Sequence, residues 1–492
     1  AKKAVEMAYE AMENPVEGTI LTVLSAWSDS LYTDSQQKNS LEQIFDKALK
    51  VARIVLGKTK DQLEVLKEND VVDAGAMGVV SFLEGVELLR FNGPVPVSFR
   101  KTLNQNEYIS GLIKTSTKHN INSEVEFRYC TEVLIDHPKS SPERIRANLK
   151  DLGDSLIVSK GVNKSRVHIH SNTPHVVLER LKKYGRIIEQ KADDMFRQEQ
   201  VVNKRLSSTA ILTDSIADIP MEFLDKYQIH VLNLTLNWDD EEYLDRITIT
   251  AEQFYQQQQI QSSFPGSSIP STQIVTALYQ YLTDYYDNII VLSVAKSLSG
   301  TWNQMTKTAR SFNKDKKRIT VIDTCLNSVA QGLLVKEVAR NAAEGKSFEE
   351  LIALAEDLKK RIKIYVSVST FKYMVKGGRV SPLKGAIASL LNLKPIVSLD
   401  ENGKGIAFEK AFSRKGLIKK ISRIIEETKE KKGIESYAIV HGDDGKKAFE
   451  FSKLIKSITG KEVEYISSIS PIVGMHSGKG ALAIGIIEGP ES

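Results

Sequence analysis

Short polar motifs in the second half of the chain carry most of the side chains that could do chemistry. Four of them are TDS (residues 213–215), SLSGT (297–301), KGGR (376–379) and GMHSGKGALA (474–483). Each places hydroxyls, a guanidinium, an imidazole or bare backbone N–H groups at a turn, where such groups can bind an anion. Together they predict a pocket that binds an anionic headgroup.

The SLSGT motif follows an apolar strand, NIIVLSV, and precedes a helix that begins TWNQ. A glycine and hydroxyls at such a junction offer N–H groups and a positive helix end to an anion, and Ser299 and Thr301 would add side-chain donors. The loop SSIPST, which contains Ser267 and Ser268, also precedes a helix. Both loops have a structural alternative, since an N-cap with a tight turn and a capping loop use the same residues.

KGGR is predicted to end a helix, because two adjacent glycines permit a left-handed turn. Arg379 then precedes the apolar stretch SPLKGAIASLLNLKP, which is predicted to be helical. Arginine suits bidentate binding of a carboxylate, although a surface arginine can also interact with a helix end. His476 precedes the apolar strand ALAIGII, and the glycines around it would let a ligand approach closely; a lone histidine is otherwise usually structural.

The elements that must position these residues alternate from residue 206 onward. Apolar strands such as TAILT, ITVID, IYVSVS and YAIVHG are separated by helical stretches. This rhythm predicts a mostly parallel sheet with helices on both faces, over a length sufficient for two lobes. A hairpin at Asn402 and Gly403 predicts mixed strand directions in the second lobe.

Two further regions precede this α/β region, so the chain is predicted to be multidomain. Residues 1–98 read as helices, with Val79, Phe82, Leu83 and Val86 on one face of the last of them. Residues 99–205 combine strands with helices that end at glycine, and they predict a small α+β domain. The predicted boundaries are therefore 1–98, 99–205 and 206–492.

The α+β region contains a candidate metal site. His168 and His170 are two residues apart on a predicted strand, so both side chains face the same side, and Cys130 lies on another predicted strand. One cysteine and two histidines would leave a tetrahedral Zn²⁺ with one open or water-filled position. The structural alternative is an ordinary edge strand with exposed histidines.

Composition excludes several classes of function. The formal net charge of +5 is small for 492 residues, and basic and acidic residues are interleaved, which gives no reason to expect nucleic acid. Two distant cysteines indicate a reducing, cytoplasmic compartment and no disulfide framework. The longest apolar runs are too short to span a bilayer, and no signal peptide opens the chain. Because it begins at Ala1 in a helical pattern, we expect an N-terminally incomplete sequence.

The order of these motifs resembles the DegV family, the fatty-acid-binding subunits of bacterial fatty acid kinase. The resemblance runs from about residue 210 to 487 and includes ILTDSIADIP, SLSGTWNQ, FKYMVKGGRVSPLKGAIASLLNLKPIVSL, SRKGLIKKI and SPIVGMHSGKGALAIGII. It implies a two-lobed α/β fold that buries an acyl chain between its lobes. The carboxylate-binding residues that it implies are Ser267 or Ser268, Ser299, Arg379 and His476, to which the helix start at SLSGT adds Thr301 as a candidate. Ile269 departs from the pattern, since the family often has a polar residue there.

The upstream regions resemble the catalytic subunit of the same kinase. YCTEVLI, LGDSLIVSKGVNKSRVHIHSNTP and KADDMFRQEQ are similar to its middle domain, where a cysteine and two histidines bind zinc, which implies Zn²⁺ at Cys130, His168 and His170. PVEGTILTVLSAW and VVDAGAMGVVSFLEGV resemble its nucleotide-binding domain, a helical barrel of the dihydroxyacetone kinase L-subunit type. That resemblance implies ATP and Mg²⁺ near Thr19, Asp73, Gly75 and Gly78.

One departure from this kinase pattern affects the predicted activity. The family's Asp-rich, PDGDTGTN-like loop, which holds Mg²⁺, is not found in this sequence. Three hypotheses follow: a fatty acid carrier without kinase activity in this form, a fatty acid kinase whose natural chain extends upstream, and a dihydroxyacetone-type sugar kinase with an accessory lobe. The first two share a long-chain fatty acid as partner, with a kinase domain of the same or another chain, and acyl phosphate as product.

Overall fold

The structure is a computed structural model, and it describes residues 1–12, 15–68, 70–92, 125–161, 163–313, 318–379 and 394–490. The described residues form two compact units. One comprises residues 1–127, 131–171 and 183–185, and the other comprises 128–130, 172–182 and 186–492. Residues 381–393 of the predicted helix over 381–395, and most of the predicted linker over 91–99, lie outside the described residues, whereas Lys394 and Pro395 are in a strand.

The N-terminal region is helical, as predicted. Its helices are α1 (Lys2–Ala11), α2 (Ile20–Ser35), α3 (Leu41–Gln62), α4 (Glu64–Glu68) and α5 (Ala74–Asn92). Helix α3 begins with a capping box between Ser40 and Gln43, in which each residue's side chain accepts a hydrogen bond from the other's backbone N–H.

The prediction of which side chains of α5 are buried is partly wrong. Val80 and Leu83 pack in the helical core, as does Ala76, whereas Phe82 is 70% exposed and Val86 is 39% exposed. Apolar residues occur on every side of α5, so the sequence of this helix marks no single apolar stripe. Apolar spacing alone therefore could not identify its buried face.

In its described residues, the middle region combines four strands with three short α-helices and a 3₁₀ turn at Lys182–Tyr184. These are β1 (Tyr129–Asp136), α6 (Pro142–Leu149), β2 (Gly153–Lys160), β3 (Lys164–Ser171), α7 (Pro174–Leu181), β4 (Arg186–Asp194) and α8 (Met195–Asn203). The strands form one sheet in the order β2-β3-β1-β4. Gly153, predicted to end a helix, is instead the first residue of β2, and α6 ends four residues earlier.

The first lobe of the α/β region is built on a parallel sheet. Its elements are β5 (Thr209–Asp214), α9 (Met221–Lys226), β6 (His230–Leu232), β7 (Thr235–Trp238), β8 (Glu241–Leu244), α10 (Ala251–Ile260), β9 (Gly266–Ser268), α11 (Thr272–Tyr285), β10 (Asn288–Ser293), α12 (Thr301–Phe312) and β11 (Arg318–Asp323). The main sheet has the order β11-β10-β5-β6, with every pair parallel. A small antiparallel sheet has the order β8-β7-β9, and Ser267 and Ser268, predicted to lie in a loop, are on its strand β9.

The second lobe has mixed strand directions, as predicted, but most of its strand pairs are antiparallel, so the predicted mostly parallel sheet holds only for the first lobe. It comprises α13 (Ser328–Ala343), α14 (Phe348–Arg361), β12 (Ile362–Ser367), α15 (Lys372–Lys376), β13 (Lys394–Leu399), β14 (Gly405–Ala411), α16 (Arg414–Lys432), β15 (Ile434–His441), α17 (Gly445–Thr459), β16 (Ile466–Ser468), α18 (Pro471–Ser477) and β17 (Leu482–Glu488). The sheet order is β14-β13-β12-β17-β15-β16, and only the β15–β16 pair is parallel. The predicted hairpin joins β13 to β14, and Gly403 adopts φ +73° at its tip.

Helix α13 joins the two lobes through their cores. Thirteen of its sixteen residues are buried, which is more than one apolar face can account for. The helix contacts β5 and β10 of the first sheet and β12, β15 and β17 of the second. It is therefore the shared core of both lobes and fixes the spacing between their sheets.

Candidate functional site

A cavity of about 470 Å³ lies between the two lobes. Its apolar wall includes Ile364, Val366, Val397 and Leu399 from strands of the second lobe, and Ile472 from α18. Leu234 and Val294 of the first lobe also line it. A volume of roughly 300–1,000 Å³ with mainly apolar walls is typical of sites for small organic ligands.

Polar side chains line the same cavity. Five of the predicted site residues are among them, namely Ser267, Ser268, Ser299, Arg379 and His476. Thr301, also predicted at this site, is not a lining residue and is fully buried. These five predicted residues therefore place hydroxyls, a guanidinium and an imidazole beside an apolar wall.

The side chain of Ser299 is hydrogen-bonded to Thr301, two residues later in the SLSGT motif. Its Oγ accepts a hydrogen bond from the backbone N–H of Thr301 at 3.2 Å and lies 2.8 Å from Thr301 Oγ1. Gly300 is the N-cap of α12, so the motif stands at the positive end of that helix. These bonds to Thr301 hold the Ser299 side chain in place, and Ser299 lines the cavity.

The end of β9, with Ser267 and Ser268, and the following Ile269 lie against the SLSGT loop. A side chain at Gly300 would collide with the side chain of Ile269, so the two segments touch because residue 300 has no Cβ. Ser268 Oγ accepts a hydrogen bond from Asn237 across the small sheet. Ile269, which is 55% exposed, places an apolar side chain at the cavity between these hydroxyls.

Arg379 bonds to the same region. Its Nε donates to the backbone carbonyl of Leu298 at 3.3 Å, within the SLSGT motif, and its Nη1 donates to the carbonyl of Gly377 at 2.6 Å. Of the two preceding glycines, only Gly378 is left-handed, with φ +71°; Gly377 is right-handed, with φ −79°. The prediction that both glycines serve the turn is therefore wrong for Gly377.

His476 is half-buried in the cavity wall. Burial, and then the charge of Arg379, lower the pKa of its imidazole from 6.5 to about 4. Within the described part of the chain, its Nδ1 is buried and has no hydrogen-bond partner. The imidazole is therefore neutral at pH 7, and Arg379 contributes the positive charge at this position.

The TDS side chains do not face the cavity, contrary to the predicted headgroup role of that motif. Thr213 Oγ1 donates to the carbonyl of Leu292 at 2.8 Å, and Ser215 Oγ donates to Asp245 at 2.6 Å. The fully buried carboxylate of Asp214 accepts from the backbone N–H of Val294 at 2.8 Å. The motif fastens neighbouring strands to one another, because buried polar groups must find partners.

Two buried aspartates of the first lobe hold the start of helix α18, which carries His476. Asp218 accepts from the backbone N–H of Ser470 at 2.8 Å, and Asp245 accepts from that of Ile472 at 3.3 Å. Burial raises the pKa of Asp218 to about 6 and that of Asp245 to about 7. Carboxylates suit the positive end of a helix, so these bonds position the wall that contains His476.

Several polar lining residues were not predicted from the sequence. Ser297 is the first residue of the SLSGT motif and Lys296 directly precedes it, so the motif itself is a signal that could have identified both. Lys296 Nζ lies 3.5 Å from a carboxylate oxygen of Asp323 and 5.6 Å from the ring centre of Trp302. Asn327 and Ser328 also line the cavity, and no motif marks them.

The predicted metal ligands lie together. The ligand atoms of Cys130, His168 and His170 are all within 4.8 Å of one another, on neighbouring strands of the middle sheet. Glu132 lies 3.7 Å from Nδ1 of His168, and Asp154 lies 3.2 Å from Nδ1 of His170. Carboxylates beside the second ring nitrogen are the usual support of a zinc-binding histidine, so this donor set fits Zn²⁺.

The predicted nucleotide-binding residues stand at two helix starts. Thr19 is the N-cap of α2, where its Oγ1 accepts from Leu21 N–H at 3.4 Å and donates to the Val16 carbonyl at 2.7 Å. Asp73 caps α5 by accepting from Ala76 N–H at 2.7 Å. A Cβ at Gly75 would lie 3.4 Å from Ile20 Cβ, so the two helix starts are adjacent. Gly78 lies in α5 with open space beside it.

Comparison with known families assigns the region around the cavity. The model of the DegV family matches residues 208–489, more than half of the chain. The chain belongs to the DegV family. A model of the DAK2 domain matches residues 1–87, and a model of the FakA-like middle domain of fatty acid kinase matches residues 126–202. The order of the three regions confirms the resemblances stated from the sequence.

Relatives of the DegV region are short proteins that it covers almost completely. A DegV domain-containing protein of Clostridium acetobutylicum is 34% identical over 285 residues, which are 58% of this chain and 100% of the relative. Protein DegV of Bacillus subtilis is 30% identical over 279 residues, which are 56% of this chain and 97% of the relative. These relatives therefore match only the DegV region of this chain.

Solved structures share the fold of the DegV region and confirm the predicted two-lobed α/β class. DegV, a fatty acid binding protein from Bacillus subtilis, has a TM-score of 0.52 at 27% identity, covering 57% of this chain and 99% of that one. A fatty acid binding DegV family protein from Streptococcus agalactiae has a TM-score of 0.52 at 26% identity, with the same coverage. Among the described residues, no helix has the length and apolar character needed to cross a membrane.

Proposed function

We propose that the DegV region binds a long-chain fatty acid in the cavity between its lobes. The observation that carries this proposal is that one cavity joins an apolar wall to Ser299, Arg379 and His476. A ligand with a hydrocarbon tail and a single anionic group matches both parts. The solved DegV relatives described as fatty acid binding proteins support the same ligand class.

The proposed carboxylate position follows from the charges of the lining residues. Arg379 supplies a cation whose guanidinium is already fixed against the SLSGT loop. His476 is neutral, so it adds a hydrogen-bond donor without a second charge, and Ser267, Ser268 and Ser299 add hydroxyl donors. Charge-assisted hydrogen bonds are stronger than neutral ones, so Arg379 is the main anchor of the carboxylate.

The proposed tail position is the apolar wall from the second lobe. Burying hydrocarbon gains roughly 0.8 kcal/mol for each methylene group, so a long tail contributes more affinity than the carboxylate does. Val366 and Val397 are paired directly across β12 and β13, and Ala483 pairs with Val366 on β17. These three residues form a continuous apolar surface in the cavity.

We further propose that the bound fatty acid is the substrate of a kinase system of which this chain forms part. A carboxylate oxygen would attack the γ-phosphorus of ATP, the new phosphorus–oxygen bond would give acyl phosphate, and ADP would leave. ATP with Mg²⁺ supplies the phosphoryl group and neutralises its charge. Thr19, Asp73, Gly75 and Gly78 would lie near the nucleotide, and the kinase domain that completes the reaction belongs to this chain or to another.

In the same system, Cys130, His168 and His170 would hold Zn²⁺ in the middle region. Two observations support the assignment: the ligand atoms lie within 4.8 Å of one another, and a carboxylate stands beside each histidine. Zinc there would cross-link neighbouring strands and stabilise the sheet, as structural zinc does in small domains.

The ligand class is tested by titrating delipidated protein with a fatty acid and with dihydroxyacetone. We expect saturable displacement of a fluorescent fatty acid by a C16 or C18 acid, and no displacement by dihydroxyacetone. A sugar kinase with an accessory lobe would give the opposite result, namely ATP consumption with dihydroxyacetone and no fatty acid binding. That outcome would overturn the proposal.

A further inference from the structure

Helices α15 and α18 pack against each other at the glycines that end them. Gly377 is the C-cap of α15 and Gly478 is the C-cap of α18. Each glycine faces an aromatic ring of the other helix, because Gly377 lies against His476 and Gly478 lies against Tyr373. At each glycine, the ring from the other helix therefore occupies the space that a side chain would need.

The backbone does not require glycine at position 377. Its φ of −79° and ψ of −6° are right-handed values that any residue adopts, and the left-handed turn of KGGR is made by Gly378 alone. Glycine is required at position 377 because there is no room for a side chain. A Cβ at 377 would lie less than 3.0 Å from both Nδ1 and Cε1 of His476, closer than real Cβ atoms approach.

The imidazole ring has little room to move away from such a Cβ. The Nδ1 atom of His476 is buried and the imidazole side chain is short, so a clash with Nδ1 displaces the whole ring and not a flexible tip. Its Nδ1 has no hydrogen-bond partner among the described residues, which means that packing holds the ring on this side. Packing against Gly377 thus determines where the other nitrogen, Nε2, points.

We propose that Gly377 is a positioning residue of the carboxylate site: its missing side chain lets the His476 imidazole lie against the KGGR backbone with the Nε2 proton directed at the ligand. This inference depends on the proposed fatty acid site. The same backbone carries Arg379, whose guanidinium bonds to the Gly377 carbonyl at 2.6 Å. One glycine thereby sets the relative position of the donor and the cation that share the carboxylate.

The tautomer follows from the same geometry. A proton on Nδ1 would be a buried donor facing the KGGR backbone without an acceptor, and an unsatisfied buried donor is costly. A proton on Nε2 leaves only a lone pair at Nδ1 and gives the cavity a neutral hydrogen-bond donor. The arrangement therefore selects the Nε2-protonated form before any ligand binds.

The first test is a double-mutant cycle on fatty acid affinity. We expect Gly377→Ala to weaken binding of a C16 acid by roughly tenfold, about as much as His476→Ala, because either change removes one directed hydrogen bond. In the His476→Ala background the same glycine change should have no further effect, since no ring remains to be displaced. Gly57→Ala, a helical glycine with open space beside it, is the control for the substitution itself.

A second measurement reads the imidazole directly and needs no ligand. The chain has eight histidines, each with two ring nitrogens, and with ¹⁵N-labelled histidine the His476→Ala variant identifies the pair of signals that belongs to His476. We expect a single neutral Nε2-protonated form from pH 5 to 8 in the wild type, and a mixture of tautomers in Gly377→Ala. Wild-type affinity together with a wild-type His476 spectrum in Gly377→Ala would overturn the inference. If the wild type bound no fatty acid, the proposed function would fail, and the spectrum would still decide the role of Gly377.

Discussion

Arg379 and His476 have different electrostatic roles although they line the same cavity. Arg379 keeps its charge, while burial and the neighbouring guanidinium lower the pKa of His476 to about 4. A second cation beside the first would repel it, so a neutral imidazole is the better neighbour. The pair therefore offers a single net positive charge to a ligand with a single negative charge.

Replacing Arg379 tests the charge directly. We expect Arg379→Ala to weaken binding of a C16 acid by about 1–3 kcal/mol, or roughly 5- to 150-fold in Kd, because a charge-assisted hydrogen bond is lost. Arg310→Ala, an exposed arginine in the last turn of α12, is the matched control. An unchanged Kd in Arg379→Ala would contradict the role given to this residue.

The lowered pKa of His476 predicts a pH dependence of stability with a defined sign. Between pH 6.5 and 4 the unfolded imidazole binds a proton and the folded one does not, so the wild type loses stability as pH falls through this window. His476→Gln lacks this loss, and the two free energies of unfolding should diverge by at most about 3 kcal/mol towards pH 4.

The comparison with His476→Gln is needed because buried carboxylates act in the opposite direction. The raised pKa values of Asp218 and Asp245, about 6 and about 7, favour the folded state at low pH and weaken it as pH rises. Both proteins share these groups, so the difference between their denaturant midpoints isolates the imidazole. Parallel curves from pH 7 to 4 would show that His476 titrates normally.

The middle region offers a separate residue-scale prediction. His168→Ala should reduce bound zinc from about one ion per chain to almost none, since two ligands rarely hold a structural ion. Elemental analysis after dialysis measures the content, with His175→Ala, outside the three-residue cluster, as control. Equal zinc in the two variants and the wild type would remove the proposed site.

At the scale of elements, the tail wall depends on β12, β13 and β17 lying side by side. Val366 pairs with Val397 on one side and with Ala483 on the other, so three small or branched residues form one patch of the cavity. Small residues there leave room for a ligand. The size of these side chains, and not their polarity, should therefore limit the length of the tail.

A larger side chain at Ala483 tests this directly. Ala483→Leu should weaken C18 binding roughly tenfold relative to C10, because added methyl groups in a packed site cost about 1–3 kcal/mol when the ligand must occupy the same space. Val366→Ala should shift the preference the other way. Competition between two fatty acids within each variant provides its own control, and an unchanged C18-to-C10 ratio in both would place the tail elsewhere.

At the scale of the whole molecule, the sequence predicts architecture better than it predicts which side chains face the ligand. The alternation of strands and helices after residue 206 predicts the α/β region, and Asn402-Gly403 predicts the β13–β14 hairpin. These features follow from local rules of spacing and turn chemistry. The three-region order was likewise recognisable from motifs and is confirmed by the family comparisons.

Side-chain direction depends on packing between distant elements, which local patterns do not contain. TDS looks like an anion-binding turn, yet its hydroxyls bond to Leu292 and Asp245, far away in sequence. Gly377 looks like part of a left-handed turn, yet its role is set by His476, about a hundred residues later. In both cases the deciding contact is long-range, so no spacing rule could reveal it.

The central claim is that the cavity between the two lobes holds a long-chain fatty acid by its carboxylate and its tail. Mass spectrometry of lipid extracted from the purified chain tests it most directly, with the Arg379→Ala, His476→Ala double variant purified in parallel. We predict roughly stoichiometric C16–C18 fatty acid in the wild type and strong depletion in the variant. Lipid-free wild-type protein that also fails to take up added fatty acid, or equal lipid in both proteins, would contradict the account.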